Sequence, residues 1–193
     1  MSFIDIVQQN DATGQLADLY KRFGNPDGTV DNVMKVHSLN PPSLEAHGQL
    51  YVQAMHKPSP VTRTEREMIG VTVSRLNGCT YCRRHHTEGL TRFLPDDRKH
   101  VAEELEGGST SSLTPRERAM VTWADKLTRT PEAMTQADAD ALREAGLTDR
   151  EILDVAQAAA YFAYANRIVL GLGAKLGEGE GQTGAWPEES RPG

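Results

Sequence analysis

One helix-start pattern, Thr-x-Arg-Glu, occurs three times along the chain, at Thr64, Thr114 and Thr148. In each copy the threonine can cap a helix while the glutamate three residues later bonds back to the cap, which forms a capping box. Apolar residues follow each start at helical spacing, and the few clusters of β-branched residues lie inside that periodicity. The pattern therefore predicts an all-α fold built from capped amphipathic helices.

The first and third copies extend further than the start pattern, because each leads into a long helical region. When Glu67 is aligned with Glu151, the third copy has no cysteine at the positions that correspond to Cys79 and Cys82. This recurrence has two interpretations. Strong N-caps recur by chance, or the fold contains a duplicated helical hairpin in which only the first copy kept its chemistry. Duplication predicts that residues 64–93 superpose on residues 148–177.

The length of 193 residues is enough to bury one substantial core and fits one domain. We expect a single all-α domain over residues 1–176, with the small-residue linker 107–112 as the best candidate for a boundary between its halves. Residues 177–193 are rich in glycine, glutamate and proline, a composition that does not build a core. We expect an extended tail that docks on a neighbouring subunit, anchored by Trp186.

Charge and apolar patterning exclude several classes of protein. The formal net charge is -6, whereas a protein that binds nucleic acid broadly needs a basic face. No N-terminal stretch combines a basic start with an apolar run, and the longest apolar stretches are too short to cross a bilayer. We therefore expect a cytoplasmic protein with neither nucleic-acid nor membrane partners.

The only two cysteines of the chain, Cys79 and Cys82, form a CxxC motif, so any intramolecular disulfide must join them. Asn77 and Gly78 end the preceding helix, which makes Cys79 the start of the next. At a helix N-terminus the positive end of the backbone dipole favours a thiolate. The motif predicts redox chemistry at sulfur, and its position favours Cys79 as the more exposed and more acidic thiol.

A histidine and a glutamate are spaced to assist these thiols. Cys79, Cys82 and His86 are three and then four residues apart, so they share one face of a helix. Glu67 lies on the preceding helix and approaches His86 if the two helices form an antiparallel hairpin. Glu67 then orients the imidazole, which activates a cysteine directly or through water. A thiolate that attacks a peroxide becomes a sulfenic acid, the second cysteine converts it to a disulfide, and an external dithiol resets the pair.

Other interpretations of the same residues stay open. Four potential ligands of a metal site are present, and they are Cys79, Cys82, His86 and Glu67. The dithiol can also serve as a redox sensor with little turnover, and Glu67 can belong to a capping box and nothing more. His85 points about a hundred degrees away from His86 around a helix, which favours a surface or interface position. No residue pattern indicates haem ligation, so we expect no cofactor and no resident metal.

The combination of Glu67, Cys79-x-x-Cys82 and His86 resembles the motif of the alkylhydroperoxidase AhpD-like proteins, in the carboxymuconolactone decarboxylase superfamily. The form Cys-x-Tyr-Cys-x-x-His-His is similar to the branch called peroxidase-related. The strong match covers residues 64–93, and a weaker one covers the last long helical region. Together with the all-α prediction, the resemblance extends over most of the chain.

The resemblance implies an AhpD-like helical fold and an obligate homo-oligomer, commonly a trimer or hexamer, with active sites near subunit contacts. It implies a thiol-dependent peroxidase that reduces small organic hydroperoxides. By matching position, Cys82 is the peroxidatic cysteine and Cys79 is its partner. Glu67 and His86 form the proton relay. The implied reductant is a dithiol, either a lipoyl-bearing or a thioredoxin-like protein.

One departure from the family pattern concerns a residue between the cysteines. The best-known peroxidases of the family carry a histidine where this chain has Tyr81. The difference removes a potential member of the relay, and it leaves the peroxidase rate and the reducing partner open. The decarboxylase branch lacks the cysteine pair, so the resemblance argues against the lactone reaction.

Overall fold

The computed structural model of the protein describes residues 2–177, and over this range it contains helices and turns without a β-strand. The all-α prediction is confirmed. The predicted docking of the tail through Trp186 concerns residues that lie outside the described range.

The α-helices of the described region follow one another with short connections. They are α1 (Gly14–Phe23), α2 (Asn32–Lys35), α3 (Pro41–Tyr51), α4 (Arg63–Leu76), α5 (Thr80–Phe93), α6 (His100–Gly107), α7 (Pro115–Arg129), α8 (Gln136–Glu144) and α9 (Asp149–Leu172). A π-helical turn at Val52–His56 continues α3, and 3-10 turns lie at Gln9–Asp11, Asp96–Arg98 and Pro131–Ala133.

Capping boxes begin α4, α7 and α9, as the recurring start pattern predicts. In α4 the box lies two residues earlier than expected, because Thr62 and not Thr64 is the cap. The Thr62 hydroxyl accepts from the Glu65 N–H at 3.2 Å, and a Glu65 carboxylate oxygen accepts from the Thr62 N–H at 2.7 Å. Glu67 therefore has no part in the cap, and its side chain is buried in the protein.

Arginines bridge these helix starts. Arg116, in the first turn of α7, donates to Glu65 and to Glu151, each at 2.7 Å. Arg98 makes a bidentate pair with Glu117, with distances of 3.0 and 2.8 Å. Each carboxylate therefore satisfies a helix-terminal N–H group and an arginine together, which fixes the N-termini of α4 and α9 against that of α7.

The helical hairpin is not repeated, so the duplicated hairpin is wrong for residues 148–177. α4 ends at Asn77, Gly78 adopts a φ of 68°, and α5 then begins. In the sequence alignment Gly78 corresponds to Phe162, and an aromatic residue strongly disfavours a positive φ. α9 therefore runs as one helix of 24 residues. No helix within residues 2–177 has both the length and the apolar character of a membrane span.

α4 is the central helix and packs against α5, α6, α7 and α9. Its Ile69 belongs to a core cluster that includes Met120 of α7 and Phe162 of α9. Gly70 allows α9 to approach closely, because a Cβ there would lie 2.5 Å from the Phe162 ring. The core thus continues across the linker 107–112 and holds α4, which carries part of the candidate site.

Candidate active site

The CxxC motif lies at the start of α5, where Cys79 is the N-cap residue, as predicted. The Cys79 sulfur accepts a hydrogen bond from the Cys82 N–H at 3.4 Å, in the place of the oxygen atom that usually caps a helix. This bond and the helix dipole both favour negative charge on the Cys79 sulfur.

The two sulfur atoms are 2.8 Å apart, and both cysteines are free thiols. They differ in access, because Cys79 has no exposed surface while Cys82 is 4% exposed and lines an internal cavity. The expectation that Cys79 is the more exposed thiol is wrong. Both cysteines belong to an apolar cluster with Val36 and Val169, and Cys82 is the one that also borders the cavity.

The hydrogen bond between the thiols separates their acidities. This bond lowers the pKa of Cys79. Burial raises the same pKa by a smaller amount, and backbone hydrogen bonds lower it further. The same bond raises the pKa of Cys82, and burial and the charge on Cys79 raise it further. A singly deprotonated pair therefore carries its charge mainly on Cys79, the thiol that the sequence indicated as more acidic.

Glu67 of α4 and His86 of α5 meet across the hairpin, as the sequence predicted, with Oε2 of Glu67 2.6 Å from Nδ1 of His86. Glu67 is 1% exposed, and Gly89 leaves room for it, since a Cβ at Gly89 would lie 3.3 Å from the Glu67 carboxyl carbon. An ionised carboxylate only accepts hydrogen bonds, so Nδ1 is the donor. In a neutral His86 the lone pair is then on Nε2, which is the tautomer of a general base.

Arg63, which the sequence did not single out, donates to the other carboxylate oxygen of Glu67 at 2.7 Å. Its guanidinium also donates to the Met55 carbonyl at 2.9 Å and lies 5.4 Å from the centroid of the Phe93 ring. Burial raises the pKa of Glu67, but the charges and hydrogen bonds of Arg63 and His86 together outweigh burial and hold the pKa well below its usual range. Glu67 is therefore a carboxylate at neutral and mildly acidic pH.

A small internal cavity lies beside these groups. It is lined by Asp31, Val33 and Met34 around α2, by Tyr51, by Tyr81, Cys82, His85 and His86 of α5, and by Tyr161, Phe162 and Ala165 of α9. Its free volume is about 30 Å³, which accommodates about one or two water molecules. Cys82 and His86 thus share the wall of one enclosed space.

Known proteins share both the sequence of this region and the fold. The sequence profile of the Carboxymuconolactone decarboxylase family matches residues 41–126, which include Glu67, both cysteines and His86. An uncharacterised peroxidase-related protein from Ralstonia eutropha JMP134, described as an alkylhydroperoxidase AhpD core, superposes with a TM-score of 0.84 at 27% identity, over 96% of this chain and 97% of its own. Residues 41–126 thus carry a carboxymuconolactone decarboxylase family domain, and the fold is AhpD-like.

Two further structures resemble this AhpD-like protein. An uncharacterised peroxidase-related protein from Silicibacter sp. TM1040 has a TM-score of 0.82 and 26% identity, over 93% of this chain and 94% of its own. The debrominase Bmp8 has a TM-score of 0.73 and 19% identity, over 96% and 95% of the two chains, and this likeness concerns the fold alone. Comparison with curated protein sequences gave no match.

His85 of the AhpD-like protein is half-buried and also lines the cavity, so it belongs both to the partly exposed face of α5 and to the candidate site. At about 3.6 residues per turn, His85 and His86 are displaced about 60° and about 40° from Cys82 in opposite directions around α5. The two imidazoles therefore flank Cys82 on the helix surface. Burial, with a smaller contribution from the charge of His86, lowers the pKa of His85 to about 4.

Tyr81, the residue at which this AhpD-like protein departs from the family pattern, forms part of the cavity wall. Its hydroxyl accepts a hydrogen bond from the Val33 N–H at 3.3 Å, which ties α5 to α2. Its ring is parallel to that of His85, with an interplanar angle of 6° and 6.3 Å between centroids. Tyr81 thus orients His85 and holds the α2 side of the cavity.

Asn166 connects α9 to the turn between α4 and α5. It accepts from Asn77 Nδ2 at 2.9 Å and donates to the Ser74 hydroxyl at 3.1 Å. A hydrogen bond from Asn166 also lowers the pKa of Cys82, although the proton shared with Cys79 and burial outweigh it. This fully buried amide therefore positions the cavity-facing sulfur.

The sequence assigned no role in the site to Arg63, His85 or Tyr161. Arg63 has a readable signal, since it precedes Glu67 by four residues, the spacing of an ion pair on a helix. His85 follows Cys82 by three residues, which is also a helical neighbour position. Tyr161 had no local signal, because it reaches the cavity only through the packing of α9 on α4.

Within residues 2–177 no three histidine, cysteine, aspartate or glutamate side chains are placed to hold one metal ion. The four ligands considered for a metal site therefore do not converge there. One reason is that the two carboxylate oxygens of Glu67 are bonded to Arg63 and His86.

Proposed function

We propose that this AhpD-like protein is a thiol-dependent peroxidase that reduces small organic hydroperoxides through a dithiol–disulfide cycle of Cys79 and Cys82. One observation carries the proposal: Cys82 and His86 line one small cavity, while the Cys79 sulfur is 2.8 Å from the Cys82 sulfur and does not line that cavity. The two thiols are thus in reach of each other, and a base borders the same cavity as the nucleophile. Likeness to two proteins described as peroxidase-related supports the same activity.

The nucleophile forms by proton movement around the sulfur pair. His86 accepts the first proton at Nε2, because Glu67 holds the other ring nitrogen. Charge then lies mainly on Cys79, and transfer of the remaining proton between sulfurs 2.8 Å apart moves the charge to Cys82. Cys82 is the sulfur that meets a substrate in the cavity, so reaction occurs there although Cys79 is the more acidic thiol.

The first chemical step transfers one oxygen atom to sulfur. The Cys82 thiolate attacks the terminal oxygen of the hydroperoxide, so an S–O bond forms while the O–O bond breaks. The departing alkoxide takes the proton that His86 carries and leaves as an alcohol. Cys82 is then a sulfenic acid, and the His86 imidazole is neutral again.

The second step closes the disulfide. The Cys79 sulfur attacks the sulfenic sulfur of Cys82, an S–S bond forms, and the S–O bond breaks. The Cys79 thiol proton leaves with the hydroxyl group as water. The short separation of the sulfurs, 2.8 Å, means that this step needs little movement of either side chain.

An external dithiol completes the cycle, and we propose a lipoyl-bearing or thioredoxin-like protein for this role. Since Cys82 borders the cavity and Cys79 does not, the thiolate of the reductant must attack the Cys82 sulfur first. We also propose the homo-oligomer, a trimer or hexamer, that the family implies, and native mass spectrometry of the purified protein counts its subunits.

Glu67 and Arg63 are positioning residues in this scheme. Glu67 fixes the tautomer and the plane of His86 through the 2.6 Å contact. Arg63 keeps Glu67 ionised, since without its charge burial alone would raise the pKa of that carboxyl. The relay therefore has three members, Arg63, Glu67 and His86, of which only His86 meets the reacting groups.

Hydroperoxide consumption with a panel of dithiol donors tests the proposal. We expect repeated turnover by the parent with at least one donor, a reversible disulfide detected by mass, and no consumption by Cys82→Ser. A Cys82→Ser variant that consumes hydroperoxide as fast as the parent contradicts the proposal.

A redox sensor with little turnover is the second candidate, and the small cavity favours it. A space of about 30 Å³ restricts the entry of substrate and reductant, since it holds about one or two water molecules. A sensor oxidises once and stops with every donor, whereas the peroxidase continues. The donor panel therefore separates the two candidates directly.

A further inference from the structure

His85 lies in the cavity, but the cycle described above leaves it unused. Its Nδ1 atom is buried and has no hydrogen-bond partner among the residues that the structure describes. Buried polar atoms of native proteins are nearly always paired, and an exception inside a cavity indicates a partner that enters it. A hydroperoxide bound in the cavity has oxygen atoms that can pair with this nitrogen.

Neighbouring rings fix the His85 imidazole. The Tyr81 ring lies parallel to it at 6.3 Å, and the His86 ring meets it edge-on at 5.2 Å between centroids. His85 and His86 flank Cys82 on the surface of α5, because they follow it by three and four residues. A hydroperoxide that approaches Cys82 therefore passes between two imidazoles with fixed planes.

The two imidazoles differ in their bonding. His86 is bonded to a carboxylate through Nδ1, whereas His85 has no such bond. Burial and the nearby charges of His86 and Arg92 lower the pKa of His85, and Asp31 and Glu67 act in the opposite direction without cancelling that effect. A neutral imidazole can donate a hydrogen bond through one nitrogen without giving up its proton.

We propose that His85 is a second catalytic imidazole, whose Nδ1–H donates a hydrogen bond to the leaving oxygen of the hydroperoxide. This inference rests on the proposed peroxidase function. As the Cys82 sulfur takes the terminal oxygen and the O–O bond breaks, negative charge develops on the leaving oxygen. His85 stabilises that charge and keeps its proton, while His86 delivers the proton that converts the alkoxide to the alcohol.

Two substitutions separate this role from a structural one. His85→Phe keeps a planar ring of similar size but removes both nitrogens, and His85→Asn keeps an amide N–H near the position of Nδ1. The rate of a single oxidation of reduced protein by tert-butyl hydroperoxide is measured by mass spectrometry after rapid quenching. Ultraviolet absorbance of the thiolate against pH reports thiol acidity in the same variants.

We expect His85→Phe to slow Cys82 oxidation by about 10²- to 10³-fold, with an unchanged thiolate titration, and His85→Asn to stay within about tenfold of the parent. Oxidation of His85→Phe at the parent rate overturns the inference. So does a shifted thiolate titration that accounts for the slowing, or equal losses in His85→Phe and His85→Asn. A parent that tert-butyl hydroperoxide does not oxidise at Cys82 overturns the proposed function itself, which is a different result.

His85→Ala provides a second measurement if His85→Phe folds poorly. The truncation leaves a space that free imidazole fits, and the parent has no such space. We expect added imidazole to restore part of the oxidation rate of His85→Ala and to leave that of the parent unchanged. The inference is contradicted if a folded His85→Ala variant is oxidised at the parent rate without imidazole and added imidazole does not change that rate.

Discussion

Glu67 and His86 are joined by a hydrogen bond of 2.6 Å although they belong to different helices and are 19 positions apart in the sequence. The turn at Gly78 reverses the chain, so that α4 and α5 lie side by side. Both residues are buried, and Arg63 completes the group on the other side of the carboxylate. Because a buried charge is stable only when it is paired, a change at any member affects the others.

Glu67→Gln removes the charge while it keeps the side-chain volume. We expect peroxidase kcat to fall by about 10²- to 10⁴-fold, because His86 loses the partner that fixes its basic tautomer. We also expect the free energy of unfolding to fall by about 3–5 kcal/mol, since Arg63 is left without its buried counter-charge. Steady-state kinetics and denaturant unfolding measure the two effects. Glu88→Gln, at an exposed position of α5, is the control and should change neither.

Arg63→Met is expected to move the acid limb of the pH–rate profile to higher pH. In the parent the pKa of Glu67 is lowered, so the carboxylate that the relay needs persists as the pH falls below the ordinary value for glutamate. Without Arg63, the effect of burial on Glu67 is opposed less strongly, so the pKa of Glu67 rises. Arg63→Lys keeps the positive charge, and its acid limb should lie between those of the parent and Arg63→Met. Identical limbs in all three proteins would show that Arg63 does not control this carboxyl.

Stability should depend on pH through the same group. The pKa of Glu67 is lower in the folded protein than in the unfolded chain, so its ionisation contributes stability above the unfolded value. That contribution is lost as the pH falls through the folded pKa. Denaturant unfolding in the acid range should therefore show a steeper loss of stability in the parent than in Glu67→Gln, and equal slopes would contradict the assignment.

Met34→Ala is expected to widen the substrate range. Met34 is buried and forms part of the α2 wall of a cavity that is only about 30 Å³ in volume. Its truncation should raise kcat/KM for a bulky hydroperoxide such as cumene hydroperoxide by about tenfold relative to hydrogen peroxide. Met120→Ala, in the core away from the cavity, is the matched control because it also creates a buried void. An equal substrate ratio in both variants would exclude the α2 wall as the size filter.

Asn166→Ala should weaken both the fold and the reactive sulfur. It leaves the Ser74 hydroxyl and the Asn77 amide without their buried partner, which costs about 1–3 kcal/mol of unfolding free energy. It also removes a hydrogen bond that lowers the pKa of Cys82, so this pKa should rise further. Denaturant unfolding and thiolate absorbance measure these changes. Leu170→Ala, at an exposed position of the same helix, is the control.

The sequence alone predicts the hairpin of α4 and α5 and the Glu67–His86 pair that joins its two helices. Glycine after Asn77 indicates the turn, and the CxxC spacing indicates the next helix start, so the sequence alone predicts that Glu67 and His86 come together. The capping residue was misjudged because Thr62 and Thr64 each precede a glutamate by three residues. Burial of Glu67 decides between them, and burial is a property of the packed fold.

Other features of the site depend on packing that local patterns do not contain. Cys79 and Cys82 are buried by residues of α9 and by Val36, which are distant in sequence. The place of His85 in the cavity wall follows from its angle relative to Cys82, which it flanks, and not from its angle relative to His86. The apparent repeat at Thr148 was a capped helix start without the glycine that a hairpin turn needs.

The first sulfur to be oxidised decides whether access or acidity controls the reaction. Reduced Cys79→Ser is treated with one equivalent of hydroperoxide, trapped with dimedone and analysed by mass spectrometry, with Cys82→Ser treated in parallel. We expect a sulfenic acid adduct on Cys82 in Cys79→Ser and no consumption of hydroperoxide by Cys82→Ser. A dimedone adduct on Cys79 in Cys82→Ser, formed as fast as the parent is oxidised, would contradict the assignment of Cys82 as the sulfur that meets the substrate.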